Sequence, residues 1–203
     1  IAFTGGPCGG KSTYINKLKQ DLKKDGFEVF VVNETATELI DSILDSKFLN
    51  STINFQDIML KDQIFKEKIV DDIIKFRENE KIIVLYDRGI LDNKAYLDSY
   101  QDFDFIMKKQ NMKELEALDN YDIVFDLLST AVCAPEKYTT KNNDKRKDSP
   151  EEASILDFKT SNAWAGHRNF YELSSAYSES KVYEALKNKI YEKRNRYWKC
   201  IGR

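Results

Sequence analysis

The chain has 203 residues, 32 of them basic and 34 acidic, for a formal net charge of -2, with 41% hydrophobic and 12% aromatic side chains. That is enough apolar material for a proper core. The interspersed charges offer no basic face for nucleic acid and no polybasic patch for a membrane surface. No apolar stretch is long enough to span a bilayer, and no signal-peptide pattern is present. Cys8, Cys133 and Cys200 are odd in number and far apart, which argues against a disulfide framework or a zinc site and fits a reducing cytoplasm. One domain is expected over 1–203, with residues preceding Ile1, because that residue already reads as strand.

In chain order, short β-branched or aromatic runs alternate with long amphipathic, charge-laced stretches. IAFT (1–4) reads as the end of a first strand, and KSTYINKLKQDLKKDG (11–26) as a helix stopped by Gly26. FEVFVV (27–32) follows as a second strand, then helices over 35–45 and 54–79. KIIVLYD (81–87) is a third strand, apolar through its middle as a buried parallel strand should be. Residues 91–118 read as helical with a break near Lys108 to Asn111, and YDIVFDLL (121–128) as a fourth strand. After the polar run 138–148, Ser149, Pro150 and Glu152 spell a capping box with proline at the first helical position. RNFYEL (168–173) is a weak fifth strand, and a last helix runs from Ser178 to about Trp198. Such alternation predicts an α/β fold: a five-stranded parallel sheet covered by helices on both faces.

Between the first strand and first helix stands GGPCGGKST (5–13), which matches the G-x-x-x-x-G-K-[ST] template of a phosphate-binding loop. Gly5, Gly6, Pro7, Cys8, Gly9 and Gly10 would wrap the backbone so that N–H groups point at phosphate oxygens. Lys11 would supply a mobile positive charge for the β- and γ-phosphates, with Ser12 as a magnesium ligand and Thr13 continuing the helix start. The third strand ends in Asp87-Arg88, the expected magnesium-supporting aspartate followed by an arginine that can grip phosphate or acceptor. The second strand ends in Asn33-Glu34. Glu34 reads either as a general base facing an acceptor hydroxyl or as dipole compensation for the next helix. The basic run 141–147 reads as a solvated loop or, within about 137–150, as a lid closing over nucleotide, with Lys145 and Arg146 as candidates. The lone histidine, His167, reads as packing together with Trp164 and Gly166.

Taken together, TGGPCGGKST, VNETATELI, YDRGILDNKAYL, EKYTTKNNDKRKDSPEEA and AWAGH resemble the AAA-type ATPase domain family of P-loop NTPases related to nicotinamide riboside kinase, over essentially the whole chain. Its members include GTP- and phosphoinositide-binding trafficking factors, and thymidylate and deoxynucleoside kinases are wider relatives. The resemblance implies a three-layer, nucleoside-kinase-like α/β/α sandwich, with Glu34 as base and Asp87-Arg88 as the pair after the third strand. The chain departs from the family pattern at TAVCAPE (130–136) and at Leu173-Ser174, so base selectivity is not carried over. The leading expectation is a kinase that uses ATP (or GTP) and Mg2+ on a small-molecule acceptor, with a homodimer as a candidate assembly. The alternative is a slowly hydrolysing nucleotide switch with a protein or phosphoinositide partner. No N-K-x-D block and no D-x-x-G after the third strand are present, which argues against an ordinary GTPase.

Overall fold

The computed structural model describes residues 1–42, 52–77, 80–135, 138 and 149–200. Strands β1 (Ala2–Thr4), β2 (Glu28–Val32), β3 (Ile82–Asp87), β4 (Val124–Leu128) and β5 (Phe170–Ser174) form one all-parallel sheet in the order β2-β3-β1-β4-β5. Around it lie α1 (Lys11–Lys24), α2 (Thr35–Ser42), α3 (Thr52–Lys75), α4 (Tyr100–Lys109), α5 (Glu114–Asp119), α6 (Thr130–Cys133), α7 (Pro150–Ala163) and α8 (Glu179–Cys200). The chain leaves β1 for β2, returns to β3, and then crosses to β4 and β5. The carboxyl ends of β1 and β3 therefore flank the reversal of strand order, where open parallel sheets bind their ligands.

Side-chain alternation along the strands builds two cores. Ala2, Tyr86 and Val124 point into one, with Leu60, Ile90, Phe103, Tyr121 and Trp164. Phe3, Leu85 and Phe125 point into the other, with Leu18 and Leu22 of α1 and Leu186 and Ile190 of α8. Because both faces are covered, β3 can be apolar throughout, as its sequence suggested. The expected α/β sandwich is the observed one.

Element boundaries differ from the sequence expectation mainly after β3. The helical stretch expected over 91–118 is three pieces: a 3-10 segment (Ile90–Tyr96), α4 and α5. Ser99 explains the restart, since its hydroxyl accepts the Asp102 amide at 3.1 Å and caps a new helix. The capping box before α7 forms as expected: the Ser149 hydroxyl accepts from the Glu152 amide at 3.2 Å, and the Ser149 amide donates to the Glu152 carboxylate at 2.8 Å. The ends expected for the second helix (43–45) and the third (78–79) lie outside the described residues.

Candidate functional site

Residues 5–10 join β1 to α1, so the glycine loop sits at the carboxyl end of the central strand. Its glycines are required by close approach to β4. A Cβ on Gly5 would stand 2.3 Å from the Leu127 carbonyl oxygen, and one on Gly9 would stand 2.2 Å from the same atom. The loop is pinned from the β4 side as well, where the Ser129 hydroxyl donates to the Pro7 carbonyl at 2.5 Å. Cys8 holds a left-handed backbone (φ 61), which costs a non-glycine residue about 1–2 kcal/mol. Ser12 and Thr13 are exposed in the first turn of α1, whose positive end faces the loop. Lys11 is buried, and its ammonium donates to the Gly5 and Gly6 carbonyls at 2.8 and 2.7 Å. Burial pushes its pKa down to about 8, with the Arg88 charge adding to the effect and Asp87, Glu34 and Asp92 opposing it. Such a lysine is stabilised by an incoming anion.

Three further expected residues gather beside it. The Ser12 hydroxyl donates to Asp87 Oδ2 at 2.8 Å. Burial raises the Asp87 pKa, while Lys11 and the Ser12 hydrogen bond pull it back. Arg88 also has a left-handed backbone (φ 74), and its side chain turns inward. Its Nε donates to Glu34 Oε1 at 2.7 Å, and Nη1 donates to Asp92 Oδ1 at 3.1 Å and to the Gly5 carbonyl at 3.3 Å. The guanidinium fork that the sequence offered to a phosphate or acceptor is thus engaged by protein groups. Glu34 stands at the end of β2, just before α2, and its carboxylate is drawn toward the phosphate loop through Arg88.

Several carboxylates at this centre were not anticipated from the sequence. Asp92, 2% exposed, accepts from the Thr4 hydroxyl (2.6 Å), the Gly89 amide (2.9 Å) and Trp164 Nε1 (3.2 Å) besides Arg88. Its position four residues after Arg88 was the available signal. Asp157 on α7 accepts from the Gly6 amide at 2.6 Å and the Ser129 amide at 2.9 Å, both on Oδ1. Asp126 on β4 is fully buried; Oδ2 accepts from the Ser161 hydroxyl, while Oδ1 has no partner among the described residues. Trp164 and His167 pack as expected, with ring centroids 6.3 Å apart, and His167 Nε2 lies 2.7 Å from the Tyr121 carbonyl. Trp164 also reaches the site through Asp92. Lys145 and Arg146 lie outside the described residues, as does most of the expected lid.

A family model described as an AAA domain matches residues 1–180. The chain belongs to the AAA domain family. The AAA domain is a P-loop nucleotide-binding and hydrolysing class, which agrees with the loop, the sheet order and the resemblance read from the sequence. No curated protein matches the chain. Among the described residues of this AAA domain, no helix is long and apolar enough to cross a membrane, and no group of three or more His, Cys, Asp or Glu could hold a metal by itself.

Proposed function

We propose that this AAA-family domain is a small-molecule kinase, transferring the γ-phosphoryl group of ATP to a hydroxyl of a nucleoside-like acceptor. The observation that carries this reading is the division of two carboxylates between neighbouring strand ends. Asp87 is bonded to Ser12 on the phosphate side, and Glu34 is bonded to Arg88 on the side of α2 and α3.

Ser12 Oγ and the Asp87 carboxylate are hard oxygen donors 2.8 Å apart beside the phosphate loop, so the pair fits magnesium. Ser12 and Asp87 would hold that ion, which would supply neutralising positive charge beside the phosphates. The loop amides and Lys11 bind and orient the triphosphate. Arg88 aims Glu34, which accepts the proton of the attacking hydroxyl.

The charge pattern supports an acceptor without a phosphate of its own. Arg88 is matched by Glu34 and Asp92. Lys66 of α3 is matched by Glu38 and Asp62 and also donates to the Thr35 hydroxyl, the residue after Glu34. A phosphomonoester would have to displace these carboxylates, whereas a neutral hydroxyl compound would not.

The test is a screen of nucleosides, their monophosphates and cofactor precursors for acceptor-dependent ADP release. With an acceptor in hand, Glu34→Gln should lower kcat by roughly 10²–10⁴-fold and leave nucleotide affinity nearly unchanged. Wild-type turnover in that variant would remove Glu34 as base. If no hydroxyl acceptor stimulates ADP release, the nucleotide-switch reading replaces the kinase.

A further inference from the structure

Helix α3 buries several polar side chains beside Met59 and Leu60 and leaves an apolar stripe exposed. Its inward face carries Gln56, Gln63 and Glu67 among its buried residues. Gln63 and Glu67 are satisfied internally: Gln63 takes the Thr35 hydroxyl at 3.0 Å and donates to Glu67 at 2.7 Å, and Glu67 accepts from the Tyr121 hydroxyl at 2.5 Å. The opposite face carries Ile58, Phe65, Ile69 and Ile73, all exposed, with Phe65 at 61%, and Phe76, 90% exposed, continues the stripe in the turn just past the helix end. At about 100° per residue the four helical positions fall within a sector of roughly 80°, and they run for about 22 Å along the helix axis. Phe105 of α4 is also exposed, and Lys109, which lies over its ring, pairs with Asp57 of α3 and so brings it beside the stripe.

From these observations we infer that the outer face of α3 is the contact through which two copies of this chain associate, with the two α3 helices antiparallel about a two-fold axis between Phe65 and Ile69. That register is self-complementary in shape and in charge. Phe65 meets Ile69 of the second copy, and Ile58 meets Phe76. On one flank Lys61 meets Asp72 of the second copy, and the symmetry repeats each pair. Among the described residues Asp72 pairs with exposed Lys75 at 2.9 Å, a contact of little strength that is readily exchanged. By usual side-chain areas the stripe amounts to roughly 500 Å² per copy. The largest exposed apolar patch on a typical monomer is about 300–600 Å² and often marks an interaction site. With Phe105 and the methylene stems of Lys61 and Lys68, the contact approaches the roughly 800 Å² per partner of a stable complex. The catalytic cleft is not part of this surface, so the inference stands apart from the kinase reading.

Sedimentation velocity over a range of concentrations tests it directly. The wild-type chain should be dimeric at tens of micromolar. Phe65→Glu should be monomeric while keeping its unfolding midpoint, since it replaces an exposed residue. Lys61→Asp places like charges opposite each other and should weaken the dimer by about tenfold or more, and adding Asp72→Lys should restore it. A wild-type chain that stays monomeric throughout overturns the proposal and leaves the stripe to another protein or a lipid surface. A dimer indifferent to Phe65→Glu overturns it equally, and failure of the double charge reversal to rescue overturns the antiparallel register.

Discussion

Asp126 shows how a single buried carboxyl sets a pH response. Burial is the main reason its pKa rises to about 7, with Asp157, Asp92 and Glu172 adding repulsion and only the Ser161 hydroxyl opposing. Unfolded, it would titrate near the ordinary value of 3.8. Between those values the folded chain holds a proton that the unfolded chain has released. Its contribution to stability is therefore fully present below the unfolded pKa and is lost as pH rises through 7. Asp126→Asn keeps the shape and can still accept from Ser161, but it never carries the buried charge. The variant should match wild type near about pH 3, below the unfolded pKa, and be more stable by about 2–4 kcal/mol near about pH 8, as read by denaturant unfolding at both. Parallel stability curves for the two proteins would show that Asp126 titrates normally.

At the scale of elements, Asp157 is the joint between α7 and the phosphate loop. One oxygen, Oδ1, holds the amides of Gly6 and of Ser129, so α7, the loop and the turn after β4 are fixed to one another. A Cβ on Gly6 would stand 2.6 Å from that same oxygen, which shows how closely the two backbones approach. Asp157→Ala leaves two buried amides unpaired and should cost about 2–4 kcal/mol of stability, along with weaker nucleotide binding. Asp157→Asn retains an acceptor at the same place and should lose less than half of that. Calorimetric nucleotide titration and unfolding of both variants would show the difference; an alanine variant with native loop affinity would break the link. None of this was legible in the sequence. The loop itself was, because its template spans only eight consecutive residues, whereas Asp157 lies 151 residues from Gly6 and Asp92 lies 88 from Thr4. The capping box before α7 was legible for the same local reason. The outer face of α3 was read only as part of an amphipathic helix, because periodicity marks an apolar stripe without saying which face turns inward.

For the whole molecule, the alternation of short apolar runs with charged helical stretches was enough to identify a parallel sheet with two covered faces. The sheet order followed from contacts that only folding creates, such as Ala2 lying between Tyr86 and Val124. Both cores meet at β1, and the phosphate loop is its direct continuation, so a ligand on that loop should stabilise the whole chain. A nucleotide with magnesium at a hundred times its Kd adds about 2.7 kcal/mol. For a chain of 203 residues, at about 2–4 °C per kcal/mol, the melting midpoint should rise by about 5–11 °C. Lys11→Ala removes a charge-assisted contact of about 1.5–3 kcal/mol, so at the same ligand concentration most of that rise should vanish. Chelation of the metal should act in the same direction, because Ser12 and Asp87 would then face the phosphates without the cation between them. Differential scanning calorimetry of wild type and Lys11→Ala, with and without nucleotide and chelator, measures all three effects. A midpoint that does not move on adding nucleotide, or that moves equally in Lys11→Ala, would take the phosphate loop out of the ligand's binding site.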